Sequence, residues 1–262
     1  MQFLQKIRQT NPLIFNITNE VVTNFVANGL LALGASPAMS NSPEEAKDMA
    51  KISQAVVLNI GTPTQQQLAA MILAGKTANE HNIPVILDPV AVGATQFRTN
   101  IIERLLENIS FTVIRGNMAE IAVLNKELVA MRGVDSLTDS IAYDTVRNVA
   151  KTYHTIVVAT GETDIISDGD KVYTVNNGHE MLTNVTGSGC LLTSIIGAYT
   201  SLKDNTLNAV VHAVASYGIA ADKVIKQSKG PGSFKVNLLD ELHVMEDHTV
   251  NSLKKITVHK GD

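Results

Sequence analysis

The chain has 262 residues, 45% of them hydrophobic, enough to bury a large core, and the length reads as one domain over 1–262. Lysine plus arginine total 21 against 25 acidic residues, a net charge of −4 without a basic cluster, so no nucleic-acid partner is expected. One cysteine cannot form an internal disulfide and the start, MQFLQKIRQTNPLIF, lacks a signal-peptide pattern, which points to the cytoplasm; no apolar run approaches the ~20 residues of a membrane span.

In chain order, the apolar runs PLIFNIT (12–18), AVVLNIG (55–61), PVILDP (84–89), FTVIRGN (111–117) and TIVVATG (155–161) have the composition of strands covered on both faces. Between them, 21–34, 64–82, 100–108, 119–129 and 140–153 mostly space apolar residues three and four apart, the helix period. This alternation predicts right-handed crossovers and a largely parallel sheet in an α/β fold. The stretch 164–184 looks like hairpin strands with turns at Asp168-Gly169 and Asn177-Gly178. Only helices are expected after it, and beyond Leu239 the tail reads as a helix with a charged end.

Ligands of such sheets bind beyond the carboxyl ends of the strands. Residues there are Asn16, Thr18 and Asn19, then Asp88, then Arg115, Asn117 and Glu120, then Thr160 and Gly161. Each alone fits a turn or helix cap; together they suggest a site. In TGSGC (186–190), Gly187, Ser188 and Gly189 would bring bare N–H groups to a helix start, a phosphate cradle if it does more than pack. Cys190 reads either as a small buried hydrophobe or as a thiol whose pKa the helix N-terminus lowers, poised as a base or against a substrate hydroxyl. A covalent nucleophile would need a histidine partner, and no sequence neighbour supplies one.

The stretches ITNEVVTNFVANGLLALGASPAMS (17–40), VLNIGT (57–62), GKTANEHNIPVILDPV (75–90), FRTNIIERLL (97–106), IRGNMAEIA (114–122), VVATGETD (157–164), VTGSGCLLTSIIGAY (185–199) and KGPGSF (229–234) resemble the hydroxyethylthiazole kinases. The resemblance implies the three-layer ribokinase-like fold, a mostly parallel central sheet flanked by helices, with no separate lid domain. It implies transfer of the γ-phosphoryl of ATP to the primary alcohol of 4-methyl-5-(2-hydroxyethyl)thiazole, a salvage step toward thiamine. Asp88 and Glu120 would hold Mg2+ directly or through water. Arg115 and Thr160 would contact ATP, with Gly161 and Asn117 beside them. Met39 and Gly187 would contact the thiazole, with Asn19 in the same pocket. Cys190 stands where the wider fold carries aspartate, as a base or as a group orienting the hydroxyl. A homotrimer is implied, segment 19–39 of one chain facing the glycine turn of another. The rival readings are another small-alcohol kinase of this fold, an ATP-dependent hydrate dehydratase, and a non-catalytic nucleotide or small-ligand sensor.

Overall fold

The computed structural model describes residues 1–125 and 139–259. The five expected strands are present as β1 (Leu13–Ile17), β3 (Ala55–Asn59), β4 (Val85–Asp88), β5 (Val113–Asn117) and β6 (Ile156–Thr160). Four more join them: β2 (Ser36–Met39), β7 (Asp164–Ser167), β8 (Val172–Val175) and β9 (Ile256–His259). The sheet order is β2-β1-β3-β4-β5-β6-β7-β8-β9, parallel from β2 to β6 and antiparallel beyond. Because β1 lies between β2 and β3, the winding reverses there and opens a crevice at the carboxyl ends.

Side chains alternate across the sheet, as extended backbone requires. Ile14, Val57, Ile86 and Val158 face one core layer, with the helices Thr23–Leu33, Ser188–Thr200, Thr206–Val224 and Pro231–Val244. Phe15, Val56, Leu58, Leu87 and Val157 face the other, with the helices Gln65–Glu80, Gln96–Asn108, Met118–Leu124 and Asp139–Tyr153. The result is three layers. Helix Ser188–Thr200 is apolar nearly all round and every residue from Leu191 to Thr200 is buried, so its N-terminus is held rigidly at the crevice. Among the described residues, no helix is long and apolar enough to cross a membrane.

Local signals set the helix starts. Thr64 caps Gln65–Glu80 in a reciprocal box with Gln67, and Thr95 caps Gln96–Asn108 four residues earlier than periodicity alone places it. The expected helix over 119–129 is present as Met118–Leu124; its remainder from 126 lies outside the described residues.

Three expectations need correction. Strand β2, SPAM, was not expected, because Pro37 argues against a strand; it is tolerated at the sheet edge, where a ladder donor can be missing. Asp168-Gly169 does turn β7 into β8, but Asn177-Gly178 turns no hairpin and leads into the 3-10 helix Glu180–Asn184. Nor is the tail purely helical: after the helices Pro231–Val244 and Asp247–Leu253, β9 pairs antiparallel with β8.

Asn177 fastens that returning tail. Its Oδ1 accepts the Lys255 amide hydrogen at 2.7 Å, and its Nδ2 donates to Leu253 O at 3.2 Å and to Asp222 Oδ2 at 3.3 Å. Asn177→Ala removes all three bonds from part-buried groups and is expected to cost about 1–2 kcal/mol. Urea unfolding measures the loss, and hydrogen exchange at β9 should accelerate in the same variant.

Candidate active site

The crevice gathers the ends of β3, β4, β5 and β6, the loop after β1, and the start of helix Ser188–Thr200. Asp88 ends β4 and is 1% exposed. Its Oδ2 accepts from Asn59 Nδ2 at 2.8 Å and Thr193 Oγ1 at 2.9 Å, with Arg115 Nη1 4.0 Å away. Its Oδ1 is buried with no hydrogen-bond partner among the described residues. Burial pushes this carboxyl up to about 6 although Arg115 pulls it down.

Arg115, on β5, crosses to the next strand, where Nη2 donates to Thr160 Oγ1 at 2.5 Å; that hydroxyl donates to Gly116 O at 3.2 Å. The guanidinium also lies against the glycine turn, since a Cβ on Gly189 would sit 2.5 Å from Nη1. Only a residue without a side chain admits it. Gly187, at φ +86°, is the helix N-cap and lies under Val22 and Phe25 of its own chain.

The cradle differs in detail from the expectation. The amides of Gly189 and Cys190 have no acceptor among the described residues, as the first turn of a helix allows. Ser188 is not a bare donor: its amide donates to Val185 O at 3.1 Å and its hydroxyl to Leu182 O at 2.8 Å. Its carbonyl accepts from the buried Tyr217 hydroxyl at 2.9 Å, which fixes the turn from behind. Gly161 is likewise engaged, its amide donating to Asp164 Oδ1 at 3.1 Å.

Cys190 overturns the prediction of a lowered pKa. Burial raises the thiol to about 11 and the Asp88 charge adds to this, against hydrogen bonds from Asn59 and Asn19. Desolvation outweighs the helix terminus. Asn19 Nδ2 reaches Sγ at 3.6 Å and Asn59 Oδ1 at 2.9 Å, so Asn19 lies beside the thiol of its own chain. Val22 and Phe25 likewise lie against Gly187 of their own chain.

Glu120 performs a structural task. Its Oε2 accepts the Asn117 amide and its Oε1 the Ala91 amide, both at 2.8 Å, while Asn117 Oδ1 accepts the Glu120 amide at 2.9 Å. This is a capping box on helix Met118–Leu124, and the charge still bears on Asp88. Met39 ends the half-buried edge strand β2 and packs on the core. Sequence reasoning missed Asn59, Thr193, Tyr217 and Asp164. The first had a signal: a polar residue ending an apolar strand, the same pattern that marks Asp88.

A reversed parallel sheet, a glycine turn opening onto a buried helix, and an arginine and a buried aspartate beside it define a ribokinase-like α/β protein. Residues 4–248 match the model of the hydroxyethylthiazole kinase family. The chain belongs to that family. It is 48% identical over 253 residues to hydroxyethylthiazole kinase 2 of Oceanobacillus iheyensis, covering 97% of each chain. It is 46% identical to hydroxyethylthiazole kinase of Shouchella clausii, over 97% of this chain and 98% of the other. The solved hydroxyethylthiazole kinase protein of Pyrococcus horikoshii OT3 superposes with a TM-score of 0.91 at 38% identity, covering 98% of both chains. The pyridoxal kinase of Staphylococcus aureus, solved with AMP-PCP and pyridoxal, shares the fold at a TM-score of 0.62 and 13% identity, over 95% of this chain and 98% of that one.

Proposed function

We propose that the chain transfers the γ-phosphoryl group of ATP to the primary hydroxyl of 4-methyl-5-(2-hydroxyethyl)thiazole, a salvage step toward thiamine, as one kinase unit without a separate lid. Family membership supports the chemistry. One observation carries the site: the Arg115 guanidinium lies against Gly189 at the start of the buried helix and 4.0 Å from the buried carboxylate of Asp88. Phosphoryl transfer is mainly positioning and charge neutralisation, and these groups supply both.

In this reading the amides and Arg115 grip the transferring phosphoryl, and Thr160 holds the guanidinium to the task. Gly161 and Asn117, at the ends of the same two strands, border the nucleotide. The free Oδ1 of Asp88, buried with no donor of its own, suits a hard divalent cation. Asp88 would hold Mg2+ directly and Glu120 through water, since both Glu120 oxygens already accept amide hydrogens. The ion would supply neutralisation of the phosphate oxygens.

Met39, Gly187 and Asn19 form the acceptor end, where adaptable methionine suits a flat sulfur-containing ring. Cys190 stays a neutral thiol at pH 7 and orients the hydroxyl; in a loose transition state the alcohol needs to lose its proton only late. Cys190→Ala is therefore expected to lower kcat by only about tenfold, and Cys190→Asp to retain turnover. Complete loss in both folded variants would show an essential thiolate.

The deciding assay couples ADP release to added alcohol. ADP formed with the thiazole alcohol supports the proposal; ADP formed only with pyrimidine or sugar alcohols selects a sister kinase, and none at all a sensor. We also read the protein as a homotrimer whose neighbour covers the acceptor end, for which sedimentation at working concentration should give the trimer mass.

A further inference from the structure

Asn59 ends β3, is 2% exposed, and is the polar residue on which both halves of the site converge. Its Oδ1 accepts from the Gly61 amide and from Asn19 Nδ2, each at 2.9 Å. Its Nδ2 donates to Asp88 Oδ2 at 2.8 Å. The amide has one possible orientation: a backbone N–H only donates and a carboxylate only accepts, so oxygen must face Gly61 and nitrogen must face Asp88. A Cβ on Gly61 would sit 2.5 Å from Asn19 Nδ2, so the chain here leaves room for the Asn19 amide to reach Asn59.

Two consequences follow for the neighbours. On the carboxylate, Asn59 and Thr193 both bind Oδ2, which leaves Oδ1 as the atom presented to the site. On the other side, Asn59 holds Asn19, whose Nδ2 reaches Cys190 Sγ at 3.6 Å. Thr193 anchors the same oxygen but bonds neither Asn19 nor the thiol.

We propose that Asn59 is a positioning residue that locks the acceptor-side pair Asn19 and Cys190 to the carboxylate of Asp88, so that the hydroxyl end and the phosphate end of the site keep one fixed relation. This rests on the phosphotransfer reading above. Asn59 touches no reacting atom; it acts through the residues on either side.

A double-mutant cycle tests it, using Asn59→Leu and Cys190→Ala singly and together, with Thr193→Val as the variant that disturbs the carboxylate and the Gly189 carbonyl but leaves the Asn59–Asn19 bond in place. Cys190→Ala should cost about tenfold in kcat in the wild type and in Thr193→Val, but less than about twofold in Asn59→Leu, where the thiol is already unmoored. The same tenfold cost in all three backgrounds overturns the proposal. Should Asn59→Leu fail to fold, Asn59→Ser runs the identical cycle. A second readout needs no substrate. Cys190 is the only cysteine, so intact mass follows its alkylation by iodoacetamide alone. At fixed pH, Asn59→Leu should slow alkylation by about fivefold through loss of the amide donors, while Thr193→Val stays within about twofold of wild type. An unchanged rate in Asn59→Leu overturns the coupling. If wild type forms no ADP with the thiazole alcohol, the phosphotransfer reading fails instead, and the alkylation comparison still decides whether Asn59 joins the two halves.

Discussion

Replacing Asp88 with asparagine is expected to lower kcat by about three orders of magnitude and, in the same variant, to raise the melting temperature. Both effects have one origin. The side chain is a buried carboxylate with an unpartnered oxygen, and burial lifts its pKa from 3.8 to about 6. The folded protein therefore binds this proton more readily than the unfolded chain. Stability from this group is greatest below about pH 4, declines as pH rises to about 6, and stays low above, where the gap corresponds to about 3 kcal/mol. Asp164, raised to about 6 by burial, adds to the same slope. Asparagine removes the Asp88 share, so thermal melts between pH 4 and 8 should show a flatter profile as well as a higher midpoint at pH 7. A variant no more stable than wild type at pH 7, or one that keeps wild-type kcat, would contradict this account.

The second large effect is expected at the turn. Gly189→Ala places a methyl group 2.5 Å from Arg115 Nη1 and 3.0 Å from Nη2. The guanidinium, at the end of a flexible side chain, must swing away from Thr160 and Asp88, while the backbone keeps its conformation. Loss of about 10²–10³-fold in kcat/KM is expected, with the melting temperature little changed. Gly187→Ala behaves differently. At φ +86° any side chain is strained by about 1–2 kcal/mol, and its Cβ would meet Val22 Cγ1 at 2.6 Å. That variant should lose stability together with activity. Paired thermal melts and steady-state kinetics separate the two glycines, and equal destabilisation by both would contradict the distinction.

Much of the scaffold was legible because β1, β3, β4 and β6 are buried almost throughout, and such strands write themselves as nearly continuous apolar runs. Strand β2 escaped because it is short, half-buried and carries Pro37; β9 escaped because an exposed edge strand beside β8 needs little hydrophobicity. The candidate site was legible at the strand ends, where Asp88, Arg115 and Thr160 interrupt apolar runs and do come together. Burial was not legible. A helix N-terminus in isolation acidifies a thiol, and only the fold shows Cys190 desolvated beside an acid, where the opposite shift wins. In the same way the motif NMAE marks a carboxylate at Glu120, yet only the fold brings the Ala91 amide to it, so that both oxygens are committed.

The state of that solitary sulfur has a bearing beyond turnover. Peroxide attacks the ionised form of cysteine, and proteins with acidic, accessible thiols are the first to be inactivated in an oxidising cell. With its proton held until about pH 11, Cys190 offers oxidants little thiolate to react with. An enzyme so built should go on working through redox stress that silences thiolate-dependent catalysts.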